Sequence, residues 1–537
     1  GVMPQTKEHL DILTLLGVKI GWVAITKIDI VDDSDWIDLV EIDIQDCLKE
    51  RGFKSLSIRR INNINSYGID LLKKDIISIN HKITKSTSNK FRMNVDRVFS
   101  KTGFGTVVTG TVVNGFAKIG QELEISPSGL KSKIRGLQSH GGIAKIVKQG
   151  DRAAINFANL KSFKLNRGDV VSSKGTVHNS KIIIANIIMI KSTDWRIRNK
   201  QRLRFHFGTA EILGRVVLDS SKILQKGEQI NLIIKLESSV SVAMDDYFII
   251  RSYSPMETIA GGVILSPNPI YSWKKLYKIC SQIPIDPSHR FKFLVNYHWR
   301  RPKSFKEWND LFFNSKINIE SLTKLYGILE SENGILYSKD NKEKAKKEIL
   351  NYINECYINN PYRKVLTPDS IKSKLSWSEA WFKEIIIDLI NNKLIINAPG
   401  GYTLYNYEID ISKKDLIAID KLEKILKNAK MEPIFINELI KITGHRPKHL
   451  SDLLHILITN KKIEFLGNEI YMHKNNLNHL IDELKLYFSN NGTIGISDFK
   501  SLFILTRKTA IPLLEYLDKY EYTKRNGNFR IQGKALE

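Results

Sequence analysis

The chain has 537 residues, 42% of them hydrophobic, and carries 82 basic against 57 acidic side chains, a formal charge of +25. A length of this order calls for roughly three to six domains. No apolar run approaches the roughly 20 residues that cross a bilayer, and no charged-then-apolar leader opens the chain, so no membrane association and a cytoplasmic location are expected.

The three cysteines, Cys47, Cys280 and Cys356, form no CxxC pair, so neither structural zinc nor a disulfide framework is expected. The first residue is Gly rather than Met, which suggests a fragment. Charge is unevenly spread. Residues 1–90 hold 13 basic and 13 acidic side chains, residues 91–270 hold 26 and 13, and residues 271–537 hold 43 and 31. A polyanion bound by both later segments accounts for the excess; compositional drift in a chain rich in Ile and Asn is the plainer alternative.

Residues 1–88 read as α/β. A helical stretch from Thr6 to Leu16 leads to a strand at Val23–Ile25, and a second from Asp35 to Arg51 leads to a short strand from Lys54 to Ile58. A third helix follows near Ile69–Ile77. Alternation of this kind implies a parallel sheet, and two strands are too few, so the segment reads as the back half of a larger domain.

From Phe91 to Pro269 β-branched runs such as "GTVVTGTVV" and "KIIIANIIMI" are separated by Gly and Asn turns, the pattern of antiparallel barrels or sandwiches. A division near Lys174–Asn179 gives two barrels, 89–178 and 179–270. After Tyr271 the texture is helical and repeats. "LINNKLIINAPGGYTLY", "LITNKKIEFLGNEIYMH" and "YLDKYEYTKRNGNFRIQ" each end a helix and continue as a hairpin turning at Gly400, Gly467 or Gly527. Helices closed by a hairpin at this period read as winged-helix modules. With a less regular copy in front, four are expected, at 271–340, 341–412, 413–474 and 475–537.

The first strand ends in Thr26-Lys27-Ile28-Asp29. An Asp there can accept both guanine N1–H and the exocyclic amine, while the Lys stem lies along the base. Such a tetrapeptide also arises by chance. The phosphate cradle G-x-x-x-x-G-K-[ST] does not occur: the only Gly-Lys pair is Gly533-Lys534, followed by Ala535. No D-x-x-G precedes the strand. Guanine-selecting residues without a phosphate grip are expected from truncation of a GTPase domain, so no catalytic residue is assigned.

The three aligned wings differ in charge. The last carries Lys524, Arg525 and Arg530 interleaved with Tyr522 and Phe529, and Asn526-Gly527 suits a two-residue hairpin turn. Arg507 and Lys508 stand where the preceding helix, Arg507 to Asp518, begins, a position suited to phosphate. RNA loops are read by bases stacked on aromatic or guanidinium planes. Arg525 and Arg530 are therefore expected at bases, with Arg507, Lys508 and Lys524 at phosphates; a merely solvated basic hairpin is the alternative. His206 in "RFHFGTAE" has no nucleophilic partner motif and reads as packed or interfacial. Gly261-Gly262 reads as a close turn or bulge.

These stretches resemble the selenocysteine-specific elongation factors of the SelB type. "GVMPQTKEHLDILTLLGVKIGWVAITKIDIVD" is similar to their GTPase domain after its phosphate-loop motifs, and "DRVFSKTGFGTVVTGTVVNG" to their second domain. "LRFHFGTAEILGRVVL" and "DYFIIRSYSPMETIAGGVIL" are similar to the third, and "TRKTAIPLLEYLDKYEYTKRNGNFRI" to the last winged helix of the bacterial form. The resemblance implies a partial α/β P-loop-type GTPase domain, two antiparallel β-barrels and four tandem winged-helix modules. It implies delivery of selenocysteinyl-tRNA to a ribosome paused at a recoded UGA, with an mRNA hairpin held by the tail, and nothing calls for more than a monomer.

By the same resemblance Thr26, Lys27 and Asp29 contact the guanine of GTP, and Ser57 stands in place of the family's Ser-Ala motif, although it is followed by Ile58-Arg59. The Mg2+ that accompanies GTP in the intact family member has its ligands missing here. The selenocysteinyl pocket maps onto Asp96, Arg97 and Arg152; on residues alone, a surface ion pair would explain Asp96-Arg97. Two rivals stand beside this reading, a general elongation factor and a winged-helix DNA-binding regulator.

Overall fold

In the computed structural model the chain forms two compact units, Gly1–Lys339 and Asp340–Glu537. The structure describes all residues except 19–20, 54–56, 80–88, 102–104, 159–164, 219–220, 270–271, 361, 363, 409–410 and 537. The expected domain limits at 88 and 270 and the start of the expected second strand therefore lie outside the described residues. Among the described residues no helix is long and apolar enough to cross a membrane.

Helix α1 (Pro4–Leu15) opens with proline at a first-turn position, where a missing N–H costs nothing. Strand β1 (Trp22–Ile25) is followed by α2 (Ser34–Glu50), whose N-cap Asp33 accepts from Asp35 N and whose last turn carries Lys49. Both devices complement the helix dipole. Strand β2 (Ser57–Arg60) lies parallel to β1 in the register Trp22↔Ser57 to Ile25↔Arg60, and α3 (Ile69–Ile79) follows. The described part of the second strand runs on to Arg60, two residues past the expected end at Ile58.

The first barrel is built from β3 (Arg92–Lys101), β4 (Gly105–Asn114), β5 (Phe116–Lys118), β6 (Glu122–Ser126), β7 (Leu130–Ser139), β8 (Gly142–Ala144), β9 (Ile146–Lys148), β10 (Arg152–Phe157) and β11 (Val170–Ser172). The order β10-β4-β3-β11-β6-β7 closes through a β7–β10 pairing. Val95, Val108, Ile125 and Ile155 fill its core, so threonines and charges at the intervening positions face out.

The second barrel contains β12 (His178–Met189), β13 (Ile197–Arg198), β14 (Arg202–Phe207), β15 (Ala210–Val217), β16 (Ile223–Leu224), β17 (Gln229–Val242), β18 (Tyr247–Arg251) and β19 (Thr258–Ser266). It closes in the order β12-β17-β15-β14-β18-β19 around Phe205 and Phe248. Gly261 and Gly262 lie inside β19 and not at a turn or bulge. A Cβ on Gly261 would meet Leu15 Cβ at 2.8 Å, and one on Gly262 would meet Asn186 O at 2.2 Å. The bareness of Gly261 lets α1 ride directly on the barrel, where Leu15 packs with Ile190 and Ile249.

Helices α4 (Trp273–Gln282), α5 (Pro287–Tyr297), α6 (Phe305–Leu311) and α7 (Ile319–Tyr326), with a short hairpin at Leu329–Glu330 and Leu336–Tyr337, complete the first unit. Adjacent aspartates in the β17–β18 turn fasten this segment. Asp245 pairs with the buried Arg290 and Ser315, while Asp246 takes Asn314 at 3.0 Å and both Arg92 guanidinium nitrogens, at 2.6 and 2.7 Å.

The second unit repeats three helices and a hairpin. The first repeat has helices Lys339–Asn359, Pro368–Leu375 and Glu379–Asn391, then strands Ile395–Ala398 and Gly401–Leu404. Its successor has Lys413–Asn428, Ile436–Thr443 and Pro447–Thr459, then Ile463–Gly467 and Ile470–His473. The last has Lys474–Asn490, Ile496–Phe503 and Arg507–Lys519, then Thr523–Asn526 and Phe529–Gln532. Leu466, Ile470 and Met472 pack into the core of the last repeat with Leu484, Phe499 and Leu513. The sequence boundary at 474 therefore crosses a packed core.

Candidate functional site

The outer face of the first barrel brings three predicted residues together. The β3–β4 register shifts between Val95 and Arg97, leaving Asp96 as the unpaired residue of a bulge. A bulge re-aims its side chain. Here Asp96 Oδ1 accepts from Thr109 Oγ1 at 2.7 Å, and Oδ2 lies 2.6 Å from Arg152 Nη1. Arg97 stands opposite Thr109, and Arg152 opposite Thr111 on the next strand pair.

Burial alone would raise the Asp96 carboxyl. The hydrogen bonds from Thr109 and Arg152, with Arg97's charge, outweigh it and hold the group below the ordinary carboxylate value. Arg152 is held by one end yet keeps 58% of its side chain exposed, and Arg97 is exposed too. One carboxylate neutralises one of two cations, so the cluster keeps net positive charge toward solvent. Thr109 was not singled out in the sequence; its outward place in the alternation of "GTVVTGTVV" is the only signal of it.

At the end of β1, Thr26, Lys27 and Asp29 are all exposed. Lys27 adopts a left-handed conformation (φ 60°) that starts the single turn Ile28–Ile30. The parallel register corrects the fourth predicted member of this group. Ser57 pairs with Trp22 at the far end of the sheet, about 10 Å of strand away by the usual rise per residue. The residues that follow β2 at the Thr26–Asp29 end are Ile61, whose N–H donates to Ile25 O at 2.8 Å, and Asn62, whose side chain caps Ile64 N at 2.8 Å.

The last hairpin requires another correction. Its loop is Gly527-Asn528, one residue later than expected, with Gly527 at φ +60°. Lys524 and Arg525 are exposed, as is half of Phe529. Arg530 is not. It is 5% exposed, and its Nε lies 2.9 Å from Asp518 Oδ2, whose other oxygen accepts from Thr523 Oγ1 at 2.5 Å. A guanidinium committed in this way cannot stack on a base. Arg507 and Lys508 are exposed in the first turn of their helix.

His206 lies on β14 opposite Glu211. Burial lowers its pKa, partly offset by Glu211, and Nε2 is buried without a hydrogen bond. It has the surroundings of a packed neutral imidazole.

Three family patterns match separate parts of the chain. "Elongation factor Tu domain 2" covers residues 105–172, "Selenocysteine-specific elongation factor, beta-barrel domain" residues 184–270, and "Elongation factor SelB, winged helix" residues 486–532. The selenocysteine-specific elongation factor of Desulfomicrobium baculatum is 27% identical over 544 residues, 99% of this chain and 85% of that protein. The Escherichia coli (strain K12) protein of the same description is 22% identical over 546 residues, 100% of this chain and 85% of its own length. Among solved structures, a bacterial selenocysteine-specific elongation factor (EF-Sec) superposes with a TM-score of 0.63 at 24% identity, covering 99% of this chain and 84% of that one. The fold of the two units is thus that of a translation factor with a winged-helix tail.

Proposed function

The chain belongs to the selenocysteine-specific elongation factors, and on that premise we propose that it carries selenocysteinyl-tRNA to the ribosome at recoded UGA codons while its tail holds an mRNA hairpin. The observation that carries this reading is the pairing of Asp96 with Arg152 beside Arg97 on one exposed barrel face. A selenol is more acidic than a thiol, so near neutral pH it is largely an anion. The same tRNA carries serine before conversion, and a serine hydroxyl stays neutral. A site with net positive charge from guanidinium groups that never deprotonate favours the selenolate. Asp96 fixes Arg152 in place and leaves Arg97 as the uncompensated cation, and it can also accept from the aminoacyl amine.

Chemistry at the other sites fits the same role. The excess of basic residues in the barrels suits the tRNA backbone. Lys524, Arg525, Arg507 and Lys508, with the half-exposed Phe529, supply phosphate contacts and a stacking surface for RNA. Thr26, Lys27 and Asp29 would hold the guanine of GTP. The phosphate-gripping pattern does not occur in the 537 residues, so none is assigned to the phosphates or to Mg2+.

The test compares binding of the whole chain to one tRNA charged with selenocysteine or with serine. Arg97→Ala and Arg152→Ala should each weaken the selenocysteinyl form about tenfold or more and the seryl form far less, as loss of a charge-assisted contact requires. Equal weakening of both forms removes the pocket.

A further inference from the structure

The two barrels of the first unit touch at the β14–β15 turn. Gly208 there has φ +55°, and a Cβ on it would fall 2.4 Å from Asn94 Nδ2. From the other side Gly168, at φ +97°, approaches Ala210 so closely that a Cβ would meet its Cα and Cβ at 3.0 Å. Between these two close approaches Thr209 Oγ1 donates to the Val95 carbonyl at 2.7 Å. That carbonyl belongs to the peptide group joined to Asp96, the bulged residue.

Val95 is otherwise fastened by its N–H to Asp169 O at 2.9 Å, and its oxygen also accepts from Gly168 N at 3.0 Å. Both lone pairs of this carbonyl are therefore used, one of them by a side chain of the neighbouring barrel. A bulged residue has no ladder partner of its own, so contacts on its flanking peptide decide where its side chain points.

We infer that Thr209 is a positioning residue for the aminoacyl pocket. Its hydroxyl fixes the Val95–Asp96 peptide plane and, through it, the Asp96 carboxylate and the Arg152 guanidinium, so the second barrel sets how well the first distinguishes a selenolate from a hydroxyl. This role rests on the reading of Asp96, Arg97 and Arg152 as the selenocysteinyl site. Thr209 itself touches no ligand. Displacing a positioned charge by a fraction of an ångström weakens the interaction made in the correct geometry and leaves general backbone binding intact.

The experiment measures, for the whole protein, the ratio of affinities for the selenocysteinyl and seryl forms of one tRNA, with melting temperature as a check on folding. Thr209→Val keeps the shape and removes the hydroxyl, and Thr209→Ser restores it. The valine variant should shrink the ratio about fivefold or more, with the serine variant near the parent value. If valine leaves the ratio unchanged while Arg97→Ala and Arg152→Ala reduce it, the positioning role is overturned and the pocket stands. A valine variant that weakens both tRNAs equally, with no rescue by serine, also overturns it. If none of the arginine variants alters the ratio, the pocket itself falls and Thr209's role falls with it.

Discussion

Arg525 and Arg530 face each other across the last hairpin, and only Arg525 reaches solvent; Arg530 is turned inward onto Asp518 in the preceding helix. The two arginines should therefore fail differently. Arg530→Ala leaves Asp518 Oδ2 without its guanidinium partner, Thr523 still donating to Oδ1, and should cost about 1–3 kcal/mol of stability, as for other truncated buried hydrogen bonds. Arg525→Ala should leave thermal melting unchanged, weaken RNA binding by about 1–3 kcal/mol and relax its sequence preference, as loss of a base contact requires.

The contact between α1 and the second barrel depends on a missing side chain. Gly261→Ala places a methyl 2.8 Å from Leu15 Cβ and should destabilise the first unit by about 1–3 kcal/mol, the usual cost of overpacking. Leu15→Ala made in the same chain should recover part of that loss. Denaturant unfolding of the two single variants and the double variant measures the coupling.

Asp246 joins elements from three parts of the first unit through Arg92 and Asn314. Asp246→Ala strands a guanidinium that is 6% exposed and should cost about 3–5 kcal/mol, as for a buried pair that loses one partner. Asp246→Asn, which can still accept hydrogen bonds, should lose less. Melting temperatures of the two variants against the parent distinguish these outcomes.

Acid should loosen the helical segment that ends the first unit. Burial, aided by Lys303, pushes His298 down from the ordinary 6.5 to about 4. The unfolded chain thus binds a proton that the folded one refuses, and stability falls as the pH drops from 6.5 toward 4. At pH 5 the loss from this group is about 2 kcal/mol relative to neutral pH. His298→Gln should flatten that part of the profile when unfolding is followed from pH 7 to 4.5.

Much of the architecture was legible because period and punctuation agree. Alternating β-branched runs gave closed barrels, and hairpins at Gly400, Gly467 and Gly527 gave the repeats of the tail. The site was legible only in part. Asp96 and Arg152 are distant in sequence, and "VDRVF" shows no sign of the bulge that turns Asp96 toward Arg152. Arg530 looked like its basic neighbours because charge does not reveal that its strand is the central one of three, with Ile494 on one side and Arg525 on the edge strand at the other. Its anchor, Asp518, lies in another element. Ser57 was misplaced because strand limits drift by a few residues in sequence, and in a parallel pair such a drift moves a residue to the other end of the sheet.

The most direct test of the selenocysteine assignment is binding of the whole chain to the RNA stem–loop that follows an in-frame UGA in a message of the same genome. The whole chain is needed because Leu466, Ile470 and Met472 complete the core of the last repeat. Tight binding at physiological salt, weakened by Arg525→Ala and not competed by unrelated hairpins or duplex DNA, is the predicted result. Weak, sequence-blind binding that disappears as salt rises would mean only a generic basic surface, and would contradict the account.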